Sequence, residues 1–150
     1  MKLKMLITGV SGLLGNNLAY YFKSHYEILG LYFSNPIMIS GIQTEQCDLT
    51  LKENVSAILT FFVPDVIIHC TSLANIDQCE KDPELAQRLN IHTTKNIVDT
   101  LQGGNTRLVY ISTDSVYDGD KGEFSETDPA FPKNNYGKTK LEGEKEALRH

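Results

Sequence analysis

Residues 3–15 read LKMLITGVSGLLG, and this stretch decides the fold. Its first six residues form a short apolar run, which is typical of a strand buried on both faces of a parallel sheet. A helical pattern begins at Leu13, so Gly9 suits a tight turn and Gly12 lets the backbone approach a pyrophosphate. Free N–H groups at the helix start favour phosphate, so the stretch predicts a dinucleotide-binding turn, and a purely structural turn is the alternative. The predicted binding residues of this turn are Gly9, Ser11, Gly12, Leu13, Leu14 and Gly15.

Outward from this stretch, apolar runs alternate with helical patterns along the chain. The first helix is expected at 13–24, with a buried stripe made of Leu14, Leu18, Tyr21 and Phe22. Further strands are expected at 27–33, 44–47, 65–70 and 107–112. Further helices are expected at 51–62, at 83–101 as one or two helices, and from 135 onward. This alternation predicts an α/β fold with a doubly wound, mostly parallel sheet, a Rossmann-type domain that binds NAD(P).

Length and composition are those of a globular protein with one domain. With 150 residues, 41% hydrophobic and 22% charged, the chain is long enough for its own core and too apolar for disorder. The first residues turn polar too early for a secretion signal, and no apolar run approaches the length of a membrane span. We therefore expect a cytoplasmic protein without a membrane partner.

Charge and the metal-binding residue types disfavour two further classes. The net charge is −5 and no basic stripe is visible, so nucleic acid is not an expected partner. The cysteines Cys47, Cys70 and Cys79 show no CxxC spacing, and the histidines show no metal-ligand spacing. We expect small core or loop cysteines in a reducing compartment, and no metal site.

Cofactor choice depends on the end of the second strand, where an acidic residue usually binds the adenosine ribose. Residues 31–35 contain no acid that would repel a 2′-phosphate and no Lys or Arg that would attract one. NADP(H) is therefore favoured over NAD(H), and the predicted contacts at this position are Phe33 and Ser34. Asp48 and Leu49, after the third strand, are predicted to meet the adenine edge, and the alternative role of Asp48 is to N-cap the next helix.

Two Tyr-x-x-x-Lys stretches follow the fifth predicted strand, and only one of them falls on a predicted helix. Tyr117 and Lys121 enclose Asp-Gly-Asp, a loop sequence that cannot hold both side chains on one helical face. Tyr136 and Lys140 lie one turn apart at the start of the last helix, where they share a face. An ammonium beside a phenol lowers the phenol pKa, which suits a proton donor to a carbonyl. A catalytic pair is one interpretation, and a surface Tyr beside a solvated Lys is the alternative.

Ser112, Thr113 and Asp114 end the fifth predicted strand, at the edge where open α/β sheets bind ligands. The Thr113 hydroxyl is predicted to hold a substrate carbonyl while Tyr136 protonates it, and strand-end turn chemistry is the alternative. The glycine turn, this hydroxyl and the helical pair occur in the expected order on the expected elements. Their joint occurrence favours the catalytic interpretation.

These motifs together resemble the extended short-chain dehydrogenase/reductases, and within them the dTDP-4-dehydrorhamnose reductases. Residues 111–119, ISTDSVYDG, are similar to that group's ISTDYVFDG, and residues 135–144, NYGKTKLEGE, to its YGKTKLxGE. Residues 64–69, PDVIIH, resemble its PDVVIN, with Glu80 on the glutamate of its VDxxE and Asn90 on its helix asparagine. The likeness covers nearly the whole chain.

The resemblance implies roles for particular residues. Thr113, Tyr136 and Lys140 would be the catalytic residues, and Lys140 would also hold the nicotinamide ribose. The reaction implied is reduction of a sugar-nucleotide ketone by hydride from the nicotinamide. The residues implied to line the cofactor are Cys70, Thr71 and Ser72.

Two departures from the group change what the resemblance implies. Relatives usually carry small alanines at positions 70–72, so the nicotinamide pocket of this chain is expected to be more polar. Some relatives place a metal-binding glutamate at the position of Asn17, so the resemblance does not imply magnesium here.

The substrate-binding half of that group lies beyond residue 150, in longer chains. Because no Gly, Asn or Pro follows the last helix, residues 1–150 are expected to be the NAD(P)-binding front part of a longer protein. A homodimer is one expected assembly. Such a part alone is expected to bind NADP(H) weakly, to self-associate or be marginally stable, and to have no measurable reductase activity.

Two other classes stay open as alternatives. A non-catalytic NADP-binding regulatory subunit, like that of methionine adenosyltransferase, resembles the same reductases and keeps similar motifs. Sugar-nucleotide epimerases and dehydratases use the same scaffold, and dehydratases commonly carry an acidic pair after the strand-end Thr. Here Thr113 is followed by Asp114 and then Ser115, which disfavours the dehydratase.

Overall fold

A computed structural model describes residues 2–101 and 103–150. It contains a five-stranded sheet in the order β3-β2-β1-β4-β5, in which every pair of neighbouring strands is parallel. The predicted doubly wound α/β fold is therefore confirmed. The strands are β1 Lys4–Thr8, β2 Glu27–Tyr32, β3 Gln43–Gln46, β4 Val66–His69 and β5 Arg107–Tyr110.

Six α-helices and two tighter or wider turns connect and follow these strands. The helices are α1 Leu13–Phe22, α2 Lys52–Phe62, α3 Ile76–Lys81, α4 Pro83–Gln87, α5 Thr93–Leu101 and α6 Asn135–Ala147. A π-helical turn, Arg88–His92, joins α4 to α5, and a 3₁₀ turn, Asp114–Val116, follows β5. The helical region predicted at 83–101 is thus continuous but consists of three segments, namely α4, the π-helical turn and α5. Helix α3 was not predicted. The sequence does contain a local indication of α3, because Asn75 is a favourable N-cap residue and its side chain accepts a hydrogen bond from the Gln78 N–H.

The sheet buries apolar side chains on both faces. Leu6, Leu29 and Ile67 point to one face, where they pack against α2 and α5. Met5, Ile7 and Ile28 alternate with them and point to the other face, where α1 packs through Ala19. This two-sided burial explains why the strands read as continuous apolar runs.

The predicted buried stripe of α1 is wrong at two positions. Tyr21 is 72% exposed and Leu14 is 44% exposed, whereas Gly15 and Ala19 face the sheet. The first turn of the helix lies too close to the glycine turn for a side chain, since a Cβ at Gly15 would lie 2.4 Å from the Gly9 carbonyl oxygen. Close packing therefore requires glycine at position 15, whereas Leu18 and Phe22 pack against the apolar cluster as predicted.

All five strands point the same way, so their carboxyl ends meet at one edge of the sheet. Thr8, His69 and Tyr110 are the last residues of three neighbouring strands at this edge. Ligands of open parallel sheets bind there, which locates the candidate site. Within the described parts of the chain, no helix combines the length and apolarity that crossing a membrane requires.

Candidate cofactor and catalytic site

A cleft of about 600 Å³ opens at the carboxyl edge of the sheet. This volume lies within the range of small-molecule and cofactor sites. Most of the predicted cofactor-binding residues line it, namely Gly9, Ser11, Gly12, Phe33, Ser34, Asp48, Leu49, Cys70, Thr71 and Ser72. The predicted contacts Leu13, Leu14, Gly15, Tyr136 and Lys140 do not line it, and the Leu13 side chain is 86% exposed.

The glycine turn leaves backbone groups bare at the floor of the cleft. Gly9 has a φ of +66°, and a Cβ there would lie 3.1 Å from the Thr71 nitrogen. Gly12 is the N-cap of α1, and no side chain within the described residues caps that helix start. The first N–H groups of α1 therefore stay available for an anion. The turn fits the phosphates of a dinucleotide, which need such bare backbone and free donors.

A buried hydrogen-bond chain fixes the residues that follow β4 against this turn. The Thr8 hydroxyl oxygen accepts from the N–H groups of Cys70, at 3.1 Å, and Thr71, at 3.2 Å. It also lies 2.7 Å from Nδ1 of His69, and because its lone pairs are taken, the hydroxyl donates this bond. Burial lowers the His69 pKa to about 3, which keeps the ring neutral and able to accept. No role for the Thr8 or His69 side chain was predicted from the sequence.

Asp48 lies at the adenosine side predicted for the cleft, but it does not cap α2. Its Oδ1 accepts from the Thr50 N–H at 2.9 Å and from the Thr50 hydroxyl at 2.7 Å. The N-cap of α2 is Leu51, without a side-chain hydrogen bond. The capping alternative is therefore wrong, because the carboxylate is taken up by the turn that precedes the helix.

One wall of the cleft is formed by residues that were not predicted to bind the cofactor. Leu85, Arg88, Leu89 and Thr93 line it, and they come from α4, the π-helical turn and the start of α5. Leu85 and Leu89 are four residues apart, so an amphipathic face was visible in the sequence. The sequence did not indicate what this face contacts, because that depends on how the connection between β4 and β5 packs against the sheet. The other unpredicted lining residues are Leu31, Tyr32, Cys47 and Thr50.

The start of α6 is held from two directions. The Asn134 side chain accepts from the Gly137 N–H at 2.7 Å. Glu80 accepts from the backbone N–H of Asn135 at 2.6 Å and from its side-chain amide at 2.9 Å. These bonds begin the helix one residue before Tyr136, so the predicted helical position of Tyr136 and Lys140 is confirmed.

Lys140 is almost completely buried, with 2% of its surface exposed. Its Nζ donates to the Ile111 carbonyl oxygen at 2.5 Å and lies 4.1 Å from the centre of the Tyr110 ring. Burial lowers the Lys140 pKa to about 8, while the negative charge of Glu144 acts in the opposite direction. Within residues 2–101 and 103–150, no hydrogen bond joins Lys140 to Tyr136, which differs from the expected ammonium–phenol contact.

Thr113 takes part in the turn chemistry that was its alternative interpretation. Its hydroxyl oxygen accepts from the Ser115 N–H at 3.2 Å, and the hydroxyl lies 3.3 Å from Oδ1 of Asp114. The neighbouring Ser112 donates to the Glu144 carboxylate on α6. The end of β5 is thus tied to α6 at adjacent residues, through Ile111 to Lys140 and through Ser112 to Glu144.

The Tyr-x-x-x-Lys stretch from Tyr117 to Lys121 is a loop, as predicted. The Tyr117 ring stacks on Phe124 with 4.6 Å between ring centres, and its hydroxyl donates to the Ser125 carbonyl at 3.1 Å. Lys121 pairs with Asp128 at 2.9 Å. Both side chains are therefore occupied by contacts within the loop.

The cysteines are free thiols, with Cys47 and Cys79 buried and Cys70 half-buried at the cleft. Burial raises the pKa of Cys70 to about 11, so the thiol stays protonated and acts as a weakly polar lining group. Across the described residues, no three side chains of His, Cys, Asp or Glu are grouped to hold a metal ion.

Comparisons with known proteins place this architecture in one family. The family model described as the RmlD substrate binding domain matches residues 2–150. Methionine adenosyltransferase 2 subunit beta of Danio rerio is 36% identical over 98% of this chain and 44% of its own length. The dTDP-4-dehydrorhamnose reductase of Aggregatibacter actinomycetemcomitans is 34% identical over 95% of this chain and 46% of its own length. The chain thus spans less than half the length of these curated relatives.

A solved structure supports the same relationship. The dTDP-4-dehydrorhamnose reductase of Bacillus anthracis, in complex with NADP, is 31% identical with a TM-score of 0.84. The match covers 99% of this chain and 50% of that one. The resemblance predicted from the motifs is confirmed, and the chain belongs to the RmlD substrate-binding domain family.

Proposed function

We propose that residues 1–150 form the NAD(P)-binding part of a protein that reduces a ketone of a sugar nucleotide, with NADP(H) preferred. The observation that carries this proposal is the position of the cleft. The glycine turn lines it at the same sheet edge where β5 meets the helix that bears Tyr136 and Lys140. The solved relative with NADP supports the cofactor, and the curated reductase supports the reaction class.

The roles of the chain's own residues follow from their hydrogen-bonding capacity. A lysine ammonium has three N–H donors, and Ile111 takes one of those of Lys140. The remaining donors can hold hydroxyl groups of the nicotinamide ribose. Tyr136 donates a proton to the ketone oxygen, and Thr113 turns its hydroxyl from the Asp114 carboxylate to the same oxygen. The bound dinucleotide would supply the hydride.

A specific observation favours a second candidate, a non-catalytic NADP-binding regulatory subunit. The methionine adenosyltransferase subunit is 36% identical to this chain and the curated reductase is 34% identical, so overall similarity does not separate them. Both candidates share cofactor binding and differ in turnover. Two experiments therefore test them in sequence.

Cofactor binding is tested by titrating NADPH against the protein and a Gly12→Val variant, with fluorescence as the readout. Gly12 has a φ of −81°, which valine can adopt, and a Cβ there would lie 3.2 Å from the Gly9 carbonyl oxygen, so we expect a small local shift with the fold retained, as circular dichroism can check. The new side chain crowds the pyrophosphate, and binding should be lost. Gly122→Val is the matched control, because nothing lies within 4 Å of a Cβ there. Unchanged NADPH affinity in Gly12→Val would contradict the proposed binding site.

Catalysis is tested by NADPH oxidation in the presence of dTDP-4-keto sugars, using the whole protein that contains residues 1–150, because this part alone is not expected to show turnover. The reductase proposal expects oxidation that depends on the sugar nucleotide and saturates with it. Cofactor binding without any turnover would overturn the reductase and support the regulatory subunit.

A further inference from the structure

The cleft contains an unassigned cation. Of the residues that line it, Asp48 and Arg88 are the charged ones in the described chain. Arg88 opens the π-helical turn and is exposed. Within residues 2–101 and 103–150, its guanidinium makes no ion pair or side-chain hydrogen bond, unlike Arg149, which pairs with Asp99 and Glu146. Its donors are therefore available to a ligand.

The local backbone is unusual at this position. Leu85 and Leu89 lie on the same cleft wall as Arg88, whereas the buried Asn90 points away and hydrogen-bonds to Thr139 of α6. The π-helical turn thus has side chains on two sides: Arg88 and Leu89 line the cleft, and Asn90 contacts α6, the helix that carries Tyr136. Single π-helical turns inside α-helices occur frequently at functional sites.

A dinucleotide places anionic groups at two positions in such a cleft. The pyrophosphate meets the glycine turn and the free N–H groups of α1, which already supply positive charge. A 2′-phosphate lies near the end of the second strand, where Phe33 and Ser34 line the cleft and offer no charge. Asp48 adds a carboxylate to the same cleft, so Arg88 is the cation among the described lining residues that a phosphate could pair with.

We propose that Arg88 binds the 2′-phosphate of NADP(H) from the α4 wall of the cleft. The proposal rests on the proposed cofactor binding and assigns the residue that distinguishes NADP(H) from NAD(H). A guanidinium matches the geometry of a phosphate with two parallel N–H donors, and it stays charged at every physiological pH. Arg88 thus offers the positive charge that residues 31–35 lack, from a different segment of the lining of the same cleft.

The test is a titration of NADPH and NADH against the protein and its Arg88→Met variant. Methionine keeps an unbranched apolar stem and removes the charge. We expect the NADPH dissociation constant to rise about tenfold or more, while the NADH constant stays unchanged. Arg107→Met is the matched control, because Arg107 is exposed at the amino end of β5, away from the cleft, and neither constant should change.

Each other outcome overturns a defined part of the proposal. Equal weakening of NADPH and NADH would assign Arg88 to a group that both cofactors share, such as the pyrophosphate. Two unchanged constants would make Arg88 a solvated surface residue. If the unmodified protein binds neither cofactor, the proposed function itself fails, and this result is distinct from a failure of the Arg88 assignment alone.

Discussion

Tyr117 to Lys121 and Tyr136 to Lys140 are two stretches with the same spacing and opposite environments. In the first, the tyrosine stacks on Phe124 and the lysine forms a surface pair with Asp128. In the second, the lysine is buried beneath the end of β5, between the Ile111 carbonyl and the Tyr110 ring. The difference arises from the chain around them, because one stretch encloses a loop and the other starts a capped helix.

The comparison teaches that a motif acquires chemistry from burial and orientation. The exposed pair of Lys121 and Asp128 is screened by water, and its charge has little effect on neighbouring groups. The buried ammonium of Lys140 acts over the same distance in a medium of lower dielectric, and its own pKa is lowered by burial. We therefore expect matched substitutions in the two stretches to have unequal effects.

The largest difference is expected for the hydroxyl groups of the two tyrosines. Tyr136→Phe should lower the kcat of ketone reduction by about 10²–10⁴, because the general acid is lost, while cofactor affinity is retained. Tyr117→Phe removes only the hydrogen bond to Ser125 and should leave kcat unchanged. Steady-state kinetics of both variants measure this. The reverse ranking would mean that the loop stretch carries the reaction.

The next difference concerns the glycines inside the two stretches. A Cβ at Gly137 would lie 2.2 Å from the Ser115 carbonyl oxygen, so Gly137→Ala should lower the free energy of unfolding by about 3 kcal/mol. Gly119 has open space around it but a φ of +75°, so Gly119→Ala should cost about 1 kcal/mol. Urea denaturation of the two variants compares these values. A larger loss at Gly119 would contradict the close packing of α6 on the loop.

A smaller effect is expected in the pH dependence of stability. The Lys140 pKa is lowered from 10.5 to about 8 in the folded protein, so the unfolded chain binds more protons between these values. Stability attributable to Lys140 therefore rises with pH from about 8 to 10.5. The stability of the unmodified protein minus that of Lys140→Met should increase between pH 7.5 and pH 10, as measured by urea denaturation at each pH.

Lys121→Met is the control for this pH experiment. It removes a surface ion pair, so its unfolding free energy should stay within about 1 kcal/mol of the unmodified protein. If the stability of the unmodified protein minus that of Lys140→Met stays constant or decreases over the same pH range, the Lys140 pKa is not lowered by burial in the folded protein.

The smallest effect is expected from the carboxylates of α6. Glu144 lies one turn beyond Lys140 and is held by Ser112, next to the Ile111 carbonyl that Lys140 contacts. Glu144→Gln should lower the Lys140 pKa further below about 8, because a negative charge that favours the ammonium is removed. Glu142 is exposed and pairs with Lys145, so Glu142→Gln should leave the titration unchanged. NMR of lysine labelled with ¹³C at Cε follows the midpoint, and identical midpoints in both variants would contradict the role of Glu144.

Much of the fold was predictable because its determinants are local in sequence. The buried strands are short apolar runs, and the glycine turn marks the passage from β1 to α1. The start of α6 was visible in the polar residues that precede Tyr136. Errors in these elements are confined to one or two residues at their ends, as in β5, which ends at Tyr110 rather than at 112.

The contacts that define the site were less predictable because they join residues distant in sequence. The bond from Thr8 to His69 spans 61 positions, and the bond from Lys140 to Ile111 spans 29. The π-helical turn at Arg88 changes the helical phase, so the periodicity of 83–101 could not indicate which side chains face the cleft. The inner face of α1 was mispredicted for a related reason, since the close approach at Gly15 is a tertiary property.

The most direct test of the central claim is hydride transfer from the cofactor to a sugar-nucleotide ketone. NADPH with deuterium in place of both hydrogens at C4 of the nicotinamide is incubated with the whole protein that contains residues 1–150 and a dTDP-4-keto sugar, and the mass of the product is measured by mass spectrometry. We expect a product that exceeds the mass of the product formed with unlabelled NADPH by the difference between deuterium and hydrogen, formed by the unmodified protein and by Tyr117→Phe and nearly absent with Tyr136→Phe. A protein that binds NADPH yet transfers no deuterium, or a Tyr136→Phe variant that transfers it at the full rate, would contradict it.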